Sequence, residues 1–228
     1  MSVAVIVGGS SGLGRVIAER LARKGEQVIV TSRTRARAEQ VAAEIGHGAQ
    51  GLGVDLSQPA TIADAFSGVS SVDHLVITAI EQGANSLQAF DIDHAVKSLT
   101  IKLVGYAETV RVVRQRFTPG ASVVLFGGVA RDRPYPGSTM VTTFNGGVTA
   151  LVRTLAIEIA PHRVNAVHPG VVGDSPKWRT VANHPAVART PIGRLVTMDE
   201  VADATEFLLR NTGVNAQNLV VDGGLLVT

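Results

Sequence analysis

The sequence has no cysteine and no long apolar run, and each absence excludes a class of protein. Without cysteine the chain forms neither disulfides nor thiolate metal sites, which fits a reducing compartment. No segment approaches the length of a membrane span, and the apolar run Val3–Val7 is too short for a signal peptide. We therefore expect a cytoplasmic protein without a membrane partner.

Charge is sparse and scattered along the chain. Charged residues make up 18% of the sequence and the formal net charge is +2, without a basic block of the kind that binds nucleic acid. The six histidines show no metal-ligand spacing, so we expect no metal site. Only four of the 21 basic residues are lysines, at positions 24, 97, 102 and 177. These features favour a small-molecule partner.

The stretch after Val3–Val7 has the pattern of a dinucleotide-binding turn. A glycine-rich loop leads from this apolar strand into a helix predicted at 15–24. Such a turn lets the backbone approach a pyrophosphate, and the helix N-terminus offers free N–H donors. The predicted cofactor contacts are Gly8, Ser10, Ser11, Gly12, Leu13 and Gly14. A tight connection without a ligand is the alternative.

The same residues also match a hydrolase motif. The sequence from Gly8 to Gly12 fits G-x-S-x-G, in which Ser10 would be the nucleophile of an esterase. That interpretation needs a histidine, and an acid before it in chain order, to activate Ser10. We therefore favour the nucleotide site over the esterase.

The second predicted strand, 27–31, ends in an arginine-rich sequence without an acid. In a dinucleotide fold this strand end faces the adenosine ribose, where an acid binds the 2′-hydroxyl of NAD and a guanidinium matches a 2′-phosphate. Ser32 and Arg33 are the expected contacts, and Arg35 and Arg37 follow. A charge-assisted hydrogen bond contributes about 1.5–3 kcal/mol, so the pattern favours NADP(H) over NAD. A solvated helix start is the alternative.

Strands and helices alternate along the chain, which predicts one α/β domain over 1–228 with a doubly wound, seven-stranded parallel sheet. Asp55 and Leu56 follow one strand, and Asp55 either contacts the adenine or caps a turn. The irregular segment 171–195 is a candidate substrate lid. The predicted strands are 3–7, 27–31, 51–54, 73–79, 122–126, 163–167 and 218–221, and the predicted helices are 15–24, 38–45, 91–116, 139–160 and 199–210.

Six motifs make the chain resemble the short-chain dehydrogenase/reductase family over nearly its whole length. The resemblance implies a Rossmann-fold domain that usually forms tetramers and NAD(P)-linked oxidation of an alcohol or reduction of a carbonyl. It also implies cofactor contacts at Ala79, Gly170 and Val172. The motifs are VGGSSGLG (7–14), Asp55-Leu56, RVNAVHPG (163–170), TPIGRL (190–195), MDEVADATEFLL (198–209) and VVDGG (220–224).

The active centre departs from the family pattern at four positions. Gly128 stands where the family usually has serine, and Val141 and Asn145 replace its tyrosine and lysine. Lys102 occupies the position of the family's asparagine. We expect Lys102 to be catalytic and Asn145 to bind a ribose hydroxyl. A solvated or inter-subunit lysine is the alternative for Lys102. Tyr135 and His168 are further candidates for proton transfer.

Two functions follow from these observations. The first is an NADPH-dependent oxidoreductase that reduces a small carbonyl, enone or imine-like substrate and forms a homo-oligomer, either a tetramer or a dimer. The second is a catalytically degenerate NADP(H)-binding protein that serves as a sensor or partner subunit. The cofactor signature favours the first function, and the missing tyrosine and lysine favour the second.

Overall fold

Seven parallel strands form one sheet in the order β3-β2-β1-β4-β5-β6-β7. The computed structural model describes residues 2–81, 83 and 85–228. The expected α/β fold with seven parallel strands is confirmed. The strands are β1 (Val3–Val7), β2 (Gln27–Ser32), β3 (Gln50–Gly53), β4 (Val72–Ile77), β5 (Phe117–Phe126), β6 (Arg163–Pro169) and β7 (Asn218–Val221).

Helices cover both faces of the sheet. In β1, Val5 belongs to a core shared with α5 and α6, whereas its neighbour Ile6 belongs to a core shared with α1, α2 and α7. This alternation explains why all five residues of β1 are buried and apolar. In the described part of the chain, no helix is long and apolar enough to cross a membrane. The helices are α1 (Gly12–Arg23), α2 (Arg35–Ile45), α3 (Ile62–Ala65), α4 (Ile92–Leu99), α5 (Gly105–Val113), α6 (Thr139–Glu158) and α7 (Met198–Arg210).

The long helix predicted at 91–116 is interrupted. A π-helical turn, Thr100–Val104, separates α4 from α5, and a 3₁₀ turn, Arg114–Arg116, ends the segment. Gly105 follows the π turn and lies against Leu56, so that a Cβ at residue 105 would come within 2.8 Å of the Leu56 Cβ. The close approach of these two backbones requires glycine. π turns often accompany functional sites, and this one contains Lys102.

The strand order reverses at β1, between β2 and β4. In doubly wound sheets, ligands bind at the carboxyl edge where the order reverses. Here the backbone N–H of Thr78 donates to the carbonyl oxygen of Val7 at 2.9 Å, and the Thr78 hydroxyl donates to that of Gly8 at 3.2 Å. The glycine-rich turn is thereby fixed to the end of β4.

Two helical glycines provide a matched test of this packing. We expect Gly105→Ala to destabilise the protein by about 1–3 kcal/mol, because its methyl group would overlap Leu56. Gly146→Ala in α6 should stabilise it by about 0.5–1 kcal/mol, because nothing lies within 4 Å of the new Cβ and alanine favours helix. Denaturant unfolding of both variants would measure the difference. Equal effects would contradict the close contact at Gly105.

Candidate functional site

The predicted cofactor contacts gather at one edge of the sheet. Except for Asn145, they end a strand or follow the carboxyl end of one: β1, β2, β3, β4 or β6. Lys102 reaches this edge from the π turn and Asn145 from α6. The sequence therefore identified residues that the fold brings to one edge of the sheet.

The glycine-rich turn leaves room for a ligand. Gly8 has φ +84°, and a Cβ there would lie 2.7 Å from the backbone nitrogen of Ala79. A Cβ at Gly14 would overlap the carbonyl oxygen of Gly8, so this glycine permits α1 to pack on the turn. Gly12 faces open space in which the nearest atom is Pro176 Cδ, at 3.8 Å. Gly8 and Gly14 thus serve packing, and Gly12 leaves the backbone accessible.

The N-terminus of α1 offers unpaired donors next to this open space. Ser11, the N-cap residue, makes no side-chain capping bond, and the first turn of α1 contains no acid. The N–H groups of the first turn and the helix dipole are therefore available to an anion. Together with the space above Gly12, these groups fit the pyrophosphate of a dinucleotide. The esterase alternative gains no support, because in the described residues no histidine hydrogen-bonds to Ser10.

The three arginines after β2 differ in their pairing. Arg35 Nε bonds Glu39 at 2.7 Å, and Arg37 donates to the Gln40 side chain at 3.0 Å and to the Ser10 carbonyl oxygen at 3.5 Å. Arg33 is exposed and makes no ion pair within the described residues. Its guanidinium follows Ser32 at the strand end and is free to meet a ligand.

Asp55 caps a turn through one of its carboxylate oxygens. Its Oδ1 accepts hydrogen bonds from the backbone N–H of Ser57 at 2.9 Å and from the Ser57 hydroxyl at 2.8 Å. Leu56 is buried against Gly105, so its side chain belongs to the core and only its backbone faces the cleft edge. Adenine recognition by Asp55 stays a prediction.

Lys102 is buried beneath the ends of β4 and β5. Its side chain is 2% exposed, and its Nζ donates to Tyr106 Oη at 3.0 Å. The Tyr106 hydroxyl donates in turn to the carbonyl oxygen of Ala79 at 2.9 Å. The amine lies 5.9 Å from the centre of the Phe144 ring, and in the described residues no carboxylate pairs with it. The solvated lysine considered from the sequence is therefore wrong.

Burial changes the chemistry of this amine. Desolvation lowers the pKa of Lys102 from 10.5 to about 7, because no carboxylate compensates for the loss of water. The same burial raises the pKa of Tyr106, so the tyrosine stays protonated. An amine that titrates near neutrality can both hold and release a proton at physiological pH.

The other replaced positions have distinct environments. Val141 packs against a small apolar cluster of Ala95, Met140 and Phe144, where it offers no acid. Asn145 is buried, and its Oδ1 has no hydrogen-bond partner among the described residues. A buried amide oxygen without a partner costs about 1–3 kcal/mol, so this oxygen is a candidate acceptor for a hydrogen bond from a ligand.

His168, in β6, is bonded to the loop after β5. Its Nδ1 accepts the backbone N–H of Gly128 at 3.1 Å, so Nε2 carries the proton and donates to Asn218 Oδ1 at 2.8 Å, with Arg131 Nη1 at 3.1 Å from the same nitrogen. Proton transfer by this ring stays a prediction. Burial lowers the pKa of His168 to about 4. A Cβ at Gly127 would overlap the imidazole ring, so this glycine makes room for it. The ring therefore positions the loop after β5.

The candidate lid is anchored at both ends. Val172 pairs with Val196, and the backbone N–H of Gly173 donates to Val196 at 2.9 Å. Gly170 lies so close to Asp222 that a Cβ would come within 2.9 Å of it. Between these anchors the segment reaches the glycine-rich turn at Pro176. The segment thus borders the cleft.

Sequence reasoning missed two features of this edge. Tyr106 stands four residues after Lys102, and this i,i+4 spacing on a predicted helix was a usable signal for their contact. The second feature is a cavity of about 430 Å³ between the loop at 86–88 and the start of α6. No short motif encodes this cavity, because its two walls are distant in sequence.

A parallel sheet with a glycine-rich turn at its reversal point defines a dinucleotide-binding Rossmann protein. A family model described as enoyl-(acyl carrier protein) reductase matches residues 7–226. The chain belongs to the short-chain dehydrogenase/reductase family, as the sequence motifs indicated, and its relatives are oxidoreductases.

Curated relatives match over almost their full length. Carbonyl reductase family member 4 of Danio rerio is 32% identical over 98% of this chain and 97% of its own. L-xylulose reductase of Cavia porcellus is 30% identical over 99% and 96%. A solved structure titled as a putative betaketoacyl-ACP reductase has a TM-score of 0.90 and 28% identity, covering 100% of this chain and 98% of its own.

The burial of Lys102 predicts how the free energy of unfolding depends on pH. The unfolded chain binds the lysine proton between pH 7 and 10.5 and the folded chain does not, so the wild type gains stability as the pH rises through this window. We expect Lys102→Met to raise the free energy of unfolding at pH 7 by about 2–4 kcal/mol, and the gain to shrink towards pH 10.

Denaturant unfolding at several pH values would measure this change. Lys97→Met is the matched control, because Lys97 is exposed and pairs with Glu81 at 3.1 Å; it should change stability by less than about 0.5 kcal/mol. A loss of stability in Lys102→Met at pH 7 would contradict the buried charge.

Proposed function

We propose that this protein is an NADPH-dependent oxidoreductase that reduces a small carbonyl, enone or imine-like substrate, with Lys102 as its proton donor. The observation that carries the proposal is the buried amine of Lys102, with a pKa of about 7, at the carboxyl edge of the sheet. Strongly shifted pKa values in clefts are typical of catalytic groups. The relatives named as reductases support the reaction class.

The choice of NADPH rests on Arg33. Its guanidinium is exposed and unpaired in the described part of the chain, immediately after Ser32 at the end of β2. No acid stands at this strand end to bind a free 2′-hydroxyl. Arg33 and Ser32 would bind the 2′-phosphate, and the first turn of α1 would bind the pyrophosphate.

In the proposed reaction, the chain binds the cofactor and supplies the proton. A bound NADPH would supply the hydride for the electrophilic carbon of the substrate. Lys102 in its charged form would donate a proton to the substrate oxygen or nitrogen on which negative charge develops, directly or through a water. Tyr106 fixes the amine, and the unpartnered Oδ1 of Asn145 would accept a hydrogen bond from the nicotinamide ribose.

The cavity beside α6 is our candidate for the substrate site. Its walls carry hydroxyl, amide and apolar groups and no charged side chain, which favours an uncharged substrate. Tyr135 is half exposed on one wall, which supports a role in substrate contact. We propose that segment 171–195 is the lid. The lining residues are Ser86, Leu87, Gln88, Pro134, Tyr135, Pro136, Gly137, Ser138, Thr139 and Thr142.

The proposal includes a cytoplasmic homo-oligomer, either a dimer or a tetramer. Ile92 and Val96 on α4 and Val104 in the π turn are large apolar side chains that are more than half exposed. Such residues on one helical segment favour contact with a second copy.

A second candidate is an NADP(H)-binding sensor without catalytic activity. The packing of Val141 in an apolar cluster favours it, because that side chain leaves no acid at the family's tyrosine position. The two candidates differ in turnover and share cofactor binding.

The cofactor proposal predicts a difference between two neighbouring arginines. Arg33→Ala should weaken NADPH binding by about tenfold or more and leave NADH binding unchanged, because a charge-assisted hydrogen bond to the phosphate is lost. Arg35→Ala is the control, since Arg35 is already paired with Glu39. Titration by NADPH fluorescence would measure both. Equal affinity of the wild type for NADPH and NADH would refute the proposal.

The catalytic proposal predicts a pH profile. With Lys102 as the acid, kcat/KM for reduction should fall tenfold for each pH unit above about 7. Lys102→Met should lower kcat by about 10²–10⁴-fold and remove the fall of kcat/KM above pH 7. Lys97→Met should have neither effect. Initial rates with aldehydes, ketones, enones and imines would measure the profiles. An inert wild type that binds NADPH tightly would favour the sensor.

A further inference from the structure

Asn145 lies against Gly128 at the carboxyl end of β5. A Cβ at residue 128 would come within 3.0 Å of Asn145 Nδ2 and 3.6 Å of its amide carbon. The absence of a side chain at Gly128 therefore makes room for the amide. A serine at this position would force the amide to move, so the replacements at 128 and 145 are physically coupled.

The Asn145 amide is held at this edge with unused hydrogen-bonding capacity. Asn145 is 3% exposed, and its Oδ1 lacks a partner in the residues that the structure describes. A side-chain amide has one acceptor and two donor hydrogens, so a single group can bind two partners at once. His168 connects this amide to Lys102, because burial and then the charge of Lys102 lower the His168 pKa, and His168 Nδ1 accepts the N–H of Gly128, the residue against which the amide lies. The amide and the amine therefore belong to the same end of the sheet edge.

We infer that the Asn145 amide bridges cofactor and substrate, with Oδ1 accepting from the nicotinamide ribose and Nδ2 donating to the oxygen of the substrate carbonyl. This inference rests on the proposed function and extends it, because it makes Asn145 a catalytic residue. The donor lies beside the place of the missing serine side chain. A fixed N–H donor stabilises the negative charge that forms on a carbonyl oxygen during reduction.

Two substitutions separate the halves of the bridge. Asn145→Asp keeps an acceptor of the same shape and removes both donor hydrogens, whereas Asn145→Ala removes donor and acceptor together. Gly128→Ala displaces the amide without altering it, because its new methyl group would lie 3.0 Å from Nδ2. Gly146→Ala is the control, since its methyl group contacts nothing within 4 Å in the same helix.

One readout needs no turnover. The probe is ¹³C-labelled 2,3-butanedione bound with the oxidised cofactor NADP⁺, which cannot donate a hydride, and isotope-edited infrared spectroscopy reports the carbonyl stretch. In the wild type and Gly146→Ala we expect a shift to lower frequency than in buffer. The shift should be absent in Asn145→Asp, Asn145→Ala and Gly128→Ala. Fluorescence titration should show NADPH affinity weakened about tenfold only in Asn145→Ala.

The kinetic readout completes the test. In Asn145→Asp, kcat for the reduction of 2,3-butanedione should fall by about 10²–10³-fold, whereas the Kd for NADPH should stay nearly unchanged. An unshifted carbonyl band in the wild type, or a shift kept by Asn145→Asp, overturns the donor role. Wild-type NADPH affinity in Asn145→Ala overturns the acceptor role. A wild type that polarises the carbonyl but reduces no substrate refutes the proposed function and leaves the bridge supported.

Discussion

Backbone contact at the start of the sheet is the constraint on which the rest of the cleft depends. Gly14 packs α1 onto the carbonyl oxygen of Gly8, and the Thr78 hydroxyl bonds that same oxygen at 3.2 Å. One carbonyl group therefore joins the turn after β1, the first helix and the end of β4. The open backbone at Gly12 follows from this arrangement, because the two fixed glycines leave the middle of the turn facing the cleft. Apart from the Thr78 hydroxyl, these contacts are made by glycines and backbone atoms. The spacing of the glycines in the sequence is therefore enough to predict the turn.

The opposite holds for Lys102, which depends on tertiary burial. Its amine loses water and gains the hydroxyl of Tyr106 and cation–π contacts with the rings of Tyr106 and Phe144, but no carboxylate in the described residues, so its charge destabilises the fold at neutral pH. An apolar residue would fill the same space with a higher free energy of unfolding. The protein would thus be more stable without the amine, and its presence argues for a functional role of Lys102.

Local patterns determined how much the sequence could predict. The order of strands and helices and the edge of the sheet that carries Gly8, Arg33 and Gly170 followed from periodicity and from the glycine-rich turn. The π turn and the burial of Lys102 could not be predicted, because both arise in tertiary packing; Gly105, directly after the π turn, lies against Leu56, a residue 49 positions earlier. The pairing of Arg35 with Glu39, by contrast, is a local i,i+4 contact that the spacing on a helix makes predictable.

The residues at the positions where the sequence departs from the family pattern fit one another, which favours a remodelled site over a decayed one. Removal of the side chain at Gly128 makes room for the Asn145 amide, and His168 holds the Gly128 backbone in place through a ring that stays neutral above about pH 4. Random loss of function gives no reason for residue 128 to lack the Cβ that would lie 3.0 Å from Asn145 Nδ2. Neither Gly128 nor Val141 offers a polar side chain in place of the family's serine and tyrosine. Any proton required for reduction must then come from another element, and the buried amine of Lys102 is the group whose pKa suits that task.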